Sequence, residues 1–228
     1  MGPVEDVLSR TEVITFDCYG TLIDWSSGLR RSFDVVFGAG LEGRTDELVE
    51  AYVEIEAVVE AERYRPYREV MATTFKRLAR RFSLELAPHM ADVPAEILPS
   101  WEPFPDTHDA LQRLKSKYRL GILSNIDGDL LEGTVRRLGV EFDFVVTAED
   151  VRSYKPALGH FRRLLARYAA RESVLHAGQS LFHDGVPAGE LDIAYAWINR
   201  YNGVNGLGVK PVATYADLKC LADQACGV

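Results

Sequence analysis

The sequence predicts an α/β protein, a doubly wound parallel sheet interrupted after its first strand by a helical insertion. Three observations carry that expectation. Near the start, Thr11-Glu-Val-Ile-Thr-Phe-Asp17 is a β-branched stretch that ends on a carboxylate and runs into a Gly20-Thr21 turn. From Asp24 to about Pro103 the apolar positions recur at helical spacing. From Asp106 onward helix and strand patterns alternate, and repeated β-α units imply parallel strands with helices on both faces.

The elements follow in order. Val13, Ile14 and Phe16 suit a buried strand over residues 12–16, with Asp17 where it stops. In the insertion, Leu48, Tyr52, Ile55 and Val59 form one stripe, with Glu50, Glu54, Glu56 and Glu60 among the polar positions between them. After the Tyr64-Arg-Pro-Tyr67 break, Val70, Met71, Phe75, Leu78 and Phe82 form a second stripe, and a short helix fits between Pro94 and Pro99. Ala110, Leu111 and Leu114 then mark a helix, 119–124 a strand, 130–138 a helix and 142–147 a strand. Residues 160–168 read as a helix, with strands at 173–178 and 192–198. The division expected is a core of residues 1–23 and 104–228 around an inserted unit of residues 24–103.

Composition narrows the function classes. The 228 residues are 47% hydrophobic and 26% charged, as in ordinary globular proteins. A net charge of -8 disfavours nucleic acid or an anionic membrane as the main partner, since phosphate rewards basic surfaces. No apolar run reaches the ~18 residues of a membrane helix. The start, Met-Gly-Pro-Val-Glu-Asp, has neither the basic nor the apolar part of a signal peptide. Cys18, Cys220 and Cys226 have no metal or disulfide spacing. A cytoplasmic protein with a small-molecule substrate is expected.

Ligands bind at the carboxyl edge of an open parallel sheet, and the predicted strand ends carry a non-random polar set there. Asp17 closes the first strand; Ser124-Asn125 closes the second. Ser153-Tyr-Lys155-Pro156 follows the third, and Gly178-Gln179-Ser180 with His183-Asp184 follows the fourth. A nucleophilic carboxylate needs a cation and hydrogen-bond donors beside it. Lys155 supplies the cation; Ser124, Asn125 and Thr21 supply donors, and Thr21 can hold Asp17 itself. Each has an ordinary alternative. Ser124-Asn125 can cap a helix, Lys155 can be surface charge, Asp184 a turn residue and His183 a loop histidine. Their ordered recurrence after four successive strands outweighs these.

On these residues the chain resembles the haloacid dehalogenase superfamily, and within it the L-2-haloacid dehalogenase branch, over nearly its whole length. Asp17-Cys18-Tyr19-Gly20-Thr21 is similar to the nucleophile motif, and Leu123-Ser-Asn125 to the second motif. Tyr154-Lys155-Pro156 is similar to the third motif, and 178–184 stands in place of the acidic fourth. The resemblance implies a Rossmann-like core and makes the insertion a helical cap domain. Phosphatases of the superfamily have a second Asp two residues after the nucleophile, where this chain has Tyr19, a phenol of ordinary pKa ~10. Their Mg²⁺-binding fourth motif has an acid where this chain has Gln179, and Mg²⁺ prefers anionic oxygen ligands. Both point to cofactor-free chemistry, with Mg²⁺ implied only for a phosphatase.

The resemblance further implies hydrolysis of a small carboxylate substrate through an aspartyl ester, dehalogenation of a 2-haloacid foremost. Asp17 attacks carbon, Lys155 orients it, Ser124 and Asn125 hold the substrate carboxylate or the water, and Asp184 positions or deprotonates that water, with His183 a further candidate. Cys18, Tyr19, Trp25, Tyr64 and Tyr67 are expected at the pocket wall, with Gln179 and His183 opposite. Departures from the branch fall at the substrate end. Its cap arginine is matched by Leu48, its fourth-motif Asn and Trp by Leu181 and His183, and a helix-borne Tyr by Phe161. Arg63, Arg65 and Arg68 are the candidates to replace that arginine. A different leaving group, such as the amine of a strained-ring amino acid, and a Mg²⁺-dependent phosphatase remain alternatives, and pairing into a homodimer stays open.

Overall fold

In the computed structural model, which describes residues 2–38, 41, 43–168 and 170–227, six strands form one wholly parallel sheet in the order β3-β2-β1-β4-β5-β6. The strands are β1 (Val13–Phe16), β2 (Arg119–Ser124), β3 (Phe144–Thr147), β4 (Val174–Gly178), β5 (Ala194–Ile198) and β6 (Ala213–Tyr215). The chain winds outward from β1 to β3, returns to β4 beside β1, and winds outward the other way. That reversal opens a crevice at the carboxyl ends of β1 and β4.

Both faces of the sheet are buried, and period-two alternation divides them. Ile14, Phe16, Leu120, Ile122, Leu175, Ala177, Ala196 and Ile198 face one apolar cluster. Val13, Leu123, Val174, Tyr195 and Trp197 face the other. The first face is covered by α6 (Thr107–Lys115), α7 (Gly128–Leu138) and α11 (Leu218–Cys226), which contribute Leu111, Leu131 and Leu221. The second is covered by α9 (Gly159–Arg167) and α10 (Val186–Glu190), through Phe161, Leu164 and Ala188. The α/β expectation thus holds. Helix α1 (Pro3–Arg10), strand β6 and helix α11 lie beyond the elements the patterns singled out.

Between β1 and β2 lie α2 (Trp25–Phe37), α3 (Thr45–Glu62), α4 (Tyr67–Phe82) and α5 (Val93–Ile97). Phe33, Tyr52 and Phe75 of α2, α3 and α4 meet edge-on or tilted, with centroids 5.6–6.1 Å apart. The segments that enter and leave this helical unit pair with each other. The Asp24 N–H donates to the Glu102 carbonyl at 2.9 Å and the Phe104 N–H to the Leu22 carbonyl at 3.0 Å. Asp127, just past β2, caps α4 from the sheet side: its carboxylate accepts from the Tyr67 N–H at 2.7 Å and the Arg68 N–H at 3.0 Å. The α4 amino end is thereby held over the strand ends, because its orphan N–H groups find their acceptor there.

Candidate active site

A cavity of about 440 Å³ opens at the β1/β4 crevice, between the strand ends and α3. The β1 ladder continues one residue beyond the strand: the Asp17 N–H donates to the Ala177 carbonyl at 3.0 Å. This fixes the Asp17 carboxylate at the cavity floor. Gly20 has φ 96°, a turn that favours glycine, and brings Thr21 back beneath the carboxylate. Thr21 Oγ1 donates to Asp17 Oδ2 at 2.8 Å and accepts from the Gln179 N–H at 2.9 Å. Thr21 therefore supports the Asp17 carboxylate from below rather than lining the cavity.

Lys155 is 1% exposed and spends its ammonium on three acceptors. Its Nζ donates to Asp17 Oδ1 at 3.0 Å, to Asp184 Oδ1 at 2.6 Å and to the Leu123 carbonyl at 2.8 Å. Burial alone would lower the Lys155 pKa, but the two carboxylates raise it, so the side chain stays charged. The lysine is positioned by Asn125, whose Oδ1 accepts from the Lys155 N–H at 2.7 Å and whose Nδ2 donates to the Lys155 carbonyl at 3.1 Å. Asn125 also lines the cavity, and its Nδ2 has a second hydrogen beyond that bond.

The two acids differ. Burial and the nearby Asp184 charge raise the Asp17 carboxyl above its ordinary value, against the opposing pull of Lys155. Burial would raise Asp184 as well, yet Lys155 and His176 together hold it well below the usual carboxylate range. His176 Nε2 lies 3.2 Å from Asp184 Oδ1, and its Nδ1 lies 2.9 Å from Thr15 Oγ1, which fixes the ring within β4. Asp184 Oδ2 is buried with no partner, and the carboxylate lines the cavity. Gly178 leaves the space it occupies, since a Cβ there would fall 2.6 Å from that oxygen. Ser124 Oγ is likewise buried, unpartnered and on the cavity wall. A strand-end carboxylate thus faces the cavity with its cation in place, beside a free acceptor and a free hydroxyl.

Of the expected wall residues, Tyr19, Trp25, Tyr67, Gln179 and His183 line the cavity. The Tyr19 hydroxyl lies 2.8 Å from Thr134 Oγ1, and burial pushes its pKa well up, so it donates no proton near neutrality. His183 is lowered by burial and stays neutral. Two expectations are corrected. Cys18 is wholly buried in the core beneath the turn. Tyr64 lies outside the cavity, stacked on Tyr154 at 5.7 Å with the Arg152 guanidinium 4.3 Å above its ring. The candidate arginines are outside too: Arg63 is exposed, Arg65 pairs with Glu62 at 2.8 Å and Arg68 pairs with Asp129. Leu48 is buried in the core.

The sequence reading missed Glu56 and Glu60, which face the cavity from α3 together with Val53. Positions 53, 56 and 60 share one helical face, while Leu48, Tyr52 and Val59 pack into the core. The visible signal was Glu56 and Glu60 four residues apart, a like-charge spacing that costs an isolated helix stability.

A family model of haloacid dehalogenase-like hydrolases matches residues 11–189. Haloacetate dehalogenase H-2 of Moraxella sp. (strain B) is 27% identical over 202 residues, spanning 85% of this chain and 88% of that protein. The (S)-2-haloacid dehalogenase of Pseudomonas putida is 26% identical over 228 residues, spanning 92% of this chain and 95% of that protein. The structure of L-2-haloacid dehalogenase from Xanthobacter autotrophicus with chloropropionic acid covalently bound has a TM-score of 0.82 at 18% identity. It covers 96% of this chain and 99% of that one.

Proposed function

The chain belongs to the haloacid dehalogenase-like hydrolase family, and on that premise we propose that it hydrolyses a carbon–halogen bond of a small 2-haloacid-type substrate through an ester at Asp17. An Asp17 oxygen forms a bond to the substrate carbon as the halide leaves with the bonding electron pair. Water then adds to the ester carbonyl, releasing the hydroxylated product, a proton and the Asp17 carboxylate. The helices of residues 24–103 act as the cap that excludes bulk water, which strips solvent from the attacking carboxylate.

The observation that carries this reading is Lys155 bridging Asp17 and Asp184 at the cavity floor. The lysine opposes the rise that burial imposes on the Asp17 pKa, and Asp184 Oδ2 offers a free acceptor to orient the attacking water. Its depressed pKa suits it to orienting water better than to taking a proton. Ser124 Oγ is a free hydroxyl on the cavity wall for a substrate oxygen. The relatives named above act on haloacetate or 2-haloacids, which supports halide as the leaving group.

The donor set does not fit a divalent cation. Gln179 is a neutral amide, and the Lys155 ammonium already occupies the space between the two carboxylates. Among the described residues no group of three or more His, Cys, Asp and Glu side chains is arranged to hold a metal. Among those residues, too, no helix is long and apolar enough to cross a membrane.

The test is a single turnover of a small 2-haloacid at high concentration in ¹⁸O-water, with EDTA present. Halide release with the label in the Asp17 carboxyl is expected, and the Asp17→Asn variant is expected to release none. Label appearing directly in product on the first turnover would assign a general-base route instead.

A further inference from the structure

The substrate end of the cavity is lined by four carboxyl groups with one cation among them. Asp17 and Asp184 share Lys155, and α3 adds Glu56 and Glu60 to the same space with no further lysine or arginine among the lining residues. The two glutamates are held differently. Glu56 Oε1 accepts from the Tyr52 hydroxyl at 2.9 Å and the Tyr67 hydroxyl at 2.8 Å, which fixes the side chain on the cavity wall. Among the described residues Glu60 has no hydrogen-bond or ion-pair partner.

A carboxylate on a solvated helix face needs no partner, but these two line a concave site that also holds buried, unpartnered groups. Ser124 Oγ and Asp184 Oδ2, 1% and 0% exposed as residues, face the same cavity. Unsatisfied buried polar atoms gathered around one cavity point to a polar ligand that completes them. Burial raises the pKa of both glutamates, and at Glu60 only the Lys155 charge opposes it, so the group that suits the pair is one that brings a positive charge. A second carboxylate brought in by a ligand would meet two carboxylates on α3 and a lysine already spent on two others. A protonated amine would instead supply the missing cation and donate up to three hydrogen bonds.

We propose that Glu56 and Glu60 form a cation subsite, and that the substrate carries a protonated amine near the carbon attacked by Asp17. This rests on the Asp17 reaction for the chemical step, while the subsite is defined by α3 alone. Two phenols set the Glu56 carboxylate as a fixed acceptor, and Glu60, one helical turn on, completes a two-point cradle for one ammonium group. Simple 2-haloacids then bind weakly, and their amine-bearing counterparts bind better.

Unreactive probes of product size test the subsite apart from the chemistry. Ethanolamine, protonated at neutral pH, and glycolate are titrated into the wild-type protein and into Glu60→Gln, Glu56→Gln and the double variant, by calorimetry with thermal melts as the folding control. In the wild type, ethanolamine is expected to bind at least tenfold more tightly than glycolate. Glu60→Gln is expected to weaken ethanolamine at least tenfold, and the double variant to strengthen glycolate. Glycolate binding as well as or better than ethanolamine in the wild type overturns the proposal, as does failure of ethanolamine to bind; this comparison requires no variant to fold. Ethanolamine affinity unchanged in folded Glu60→Gln and double variants overturns it as well. Because neither probe has a leaving group, haloacid turnover with no ethanolamine binding removes the subsite and keeps the reaction. Ethanolamine binding with no label in Asp17 does the reverse.

Discussion

Lys155 is the side chain on which the electrostatics of the floor turn. All three of its ammonium protons have acceptors, two of them carboxylates, and removing one partner of a buried charge set strands the others. Lys155→Met should therefore lower kcat/KM by at least a hundredfold and move the acid limb of its pH profile upward. The sign follows from Asp17, whose pKa is already raised by burial and Asp184 and is restrained by the lysine; without that restraint it takes up its proton at higher pH. An acid limb at the same pH in the variant would show that Lys155 does not set it. Asp17, Lys155 and Asp184 were legible in the sequence because each follows a strand that ends in polar residues. His176 was not, since it sits within the apolar run Val174-Leu-His-Ala-Gly178 and only the fold brings Thr15 and Asp184 to its two nitrogens. Glu56 and Glu60 fell on the polar side of a helix pattern, and periodicity does not distinguish a side facing water from one facing a cavity.

At the scale of elements, the helical unit depends on how closely its helices approach one another. Gly28 lies in the first half of α2 against Trp101, and a Cβ at that position would fall 2.2 Å from an indole carbon. Helix propensity alone favours Ala over Gly by about 1 kcal/mol. Overpacking a closed contact costs about 1–3 kcal/mol, and here it wins because the obstacle is a rigid, buried ring. Gly28→Ala should therefore lower the stability measured by urea unfolding; an increase would mean that the indole moves aside freely. The elements that the patterns conveyed were the long ones with one clear period. Strand β6 is three residues long and gives no alternation to read. Helix α11 carried usable signals, an Asp217 cap that accepts the Cys220 N–H at 2.8 Å and a stripe of Leu218, Leu221, Ala222 and Ala225. The apolar face of α11 lies beyond the last strand that the alternation marks.

For the whole molecule, the buried ionisable groups pull stability in opposite directions as pH falls. Asp17, Glu56 and Glu60 have raised pKa values in the fold. The native state therefore takes up their protons first, and stability gains as pH falls through those raised values. His160 acts the other way. It is wholly buried in α9 with Nε2 3.1 Å from the Ser124 carbonyl, and burial with the nearby Lys155 charge lowers its pKa from 6.5 to about 3. Between those values the unfolded chain binds a proton that the native state refuses. The stability His160 allows is complete above pH 6.5 and is lost as pH falls toward 3. A difference measurement isolates it. His160→Gln keeps an N–H donor for the Ser124 carbonyl but cannot titrate, so the other groups cancel between variant and wild type. The stability of wild type relative to the variant should fall by at most about 1.4 kcal/mol per pH unit between pH 6.5 and 4, read from urea midpoints at each pH. A difference that stays flat would mean that His160 is protonated in the native state, with a carboxylate of the floor ionised as its partner.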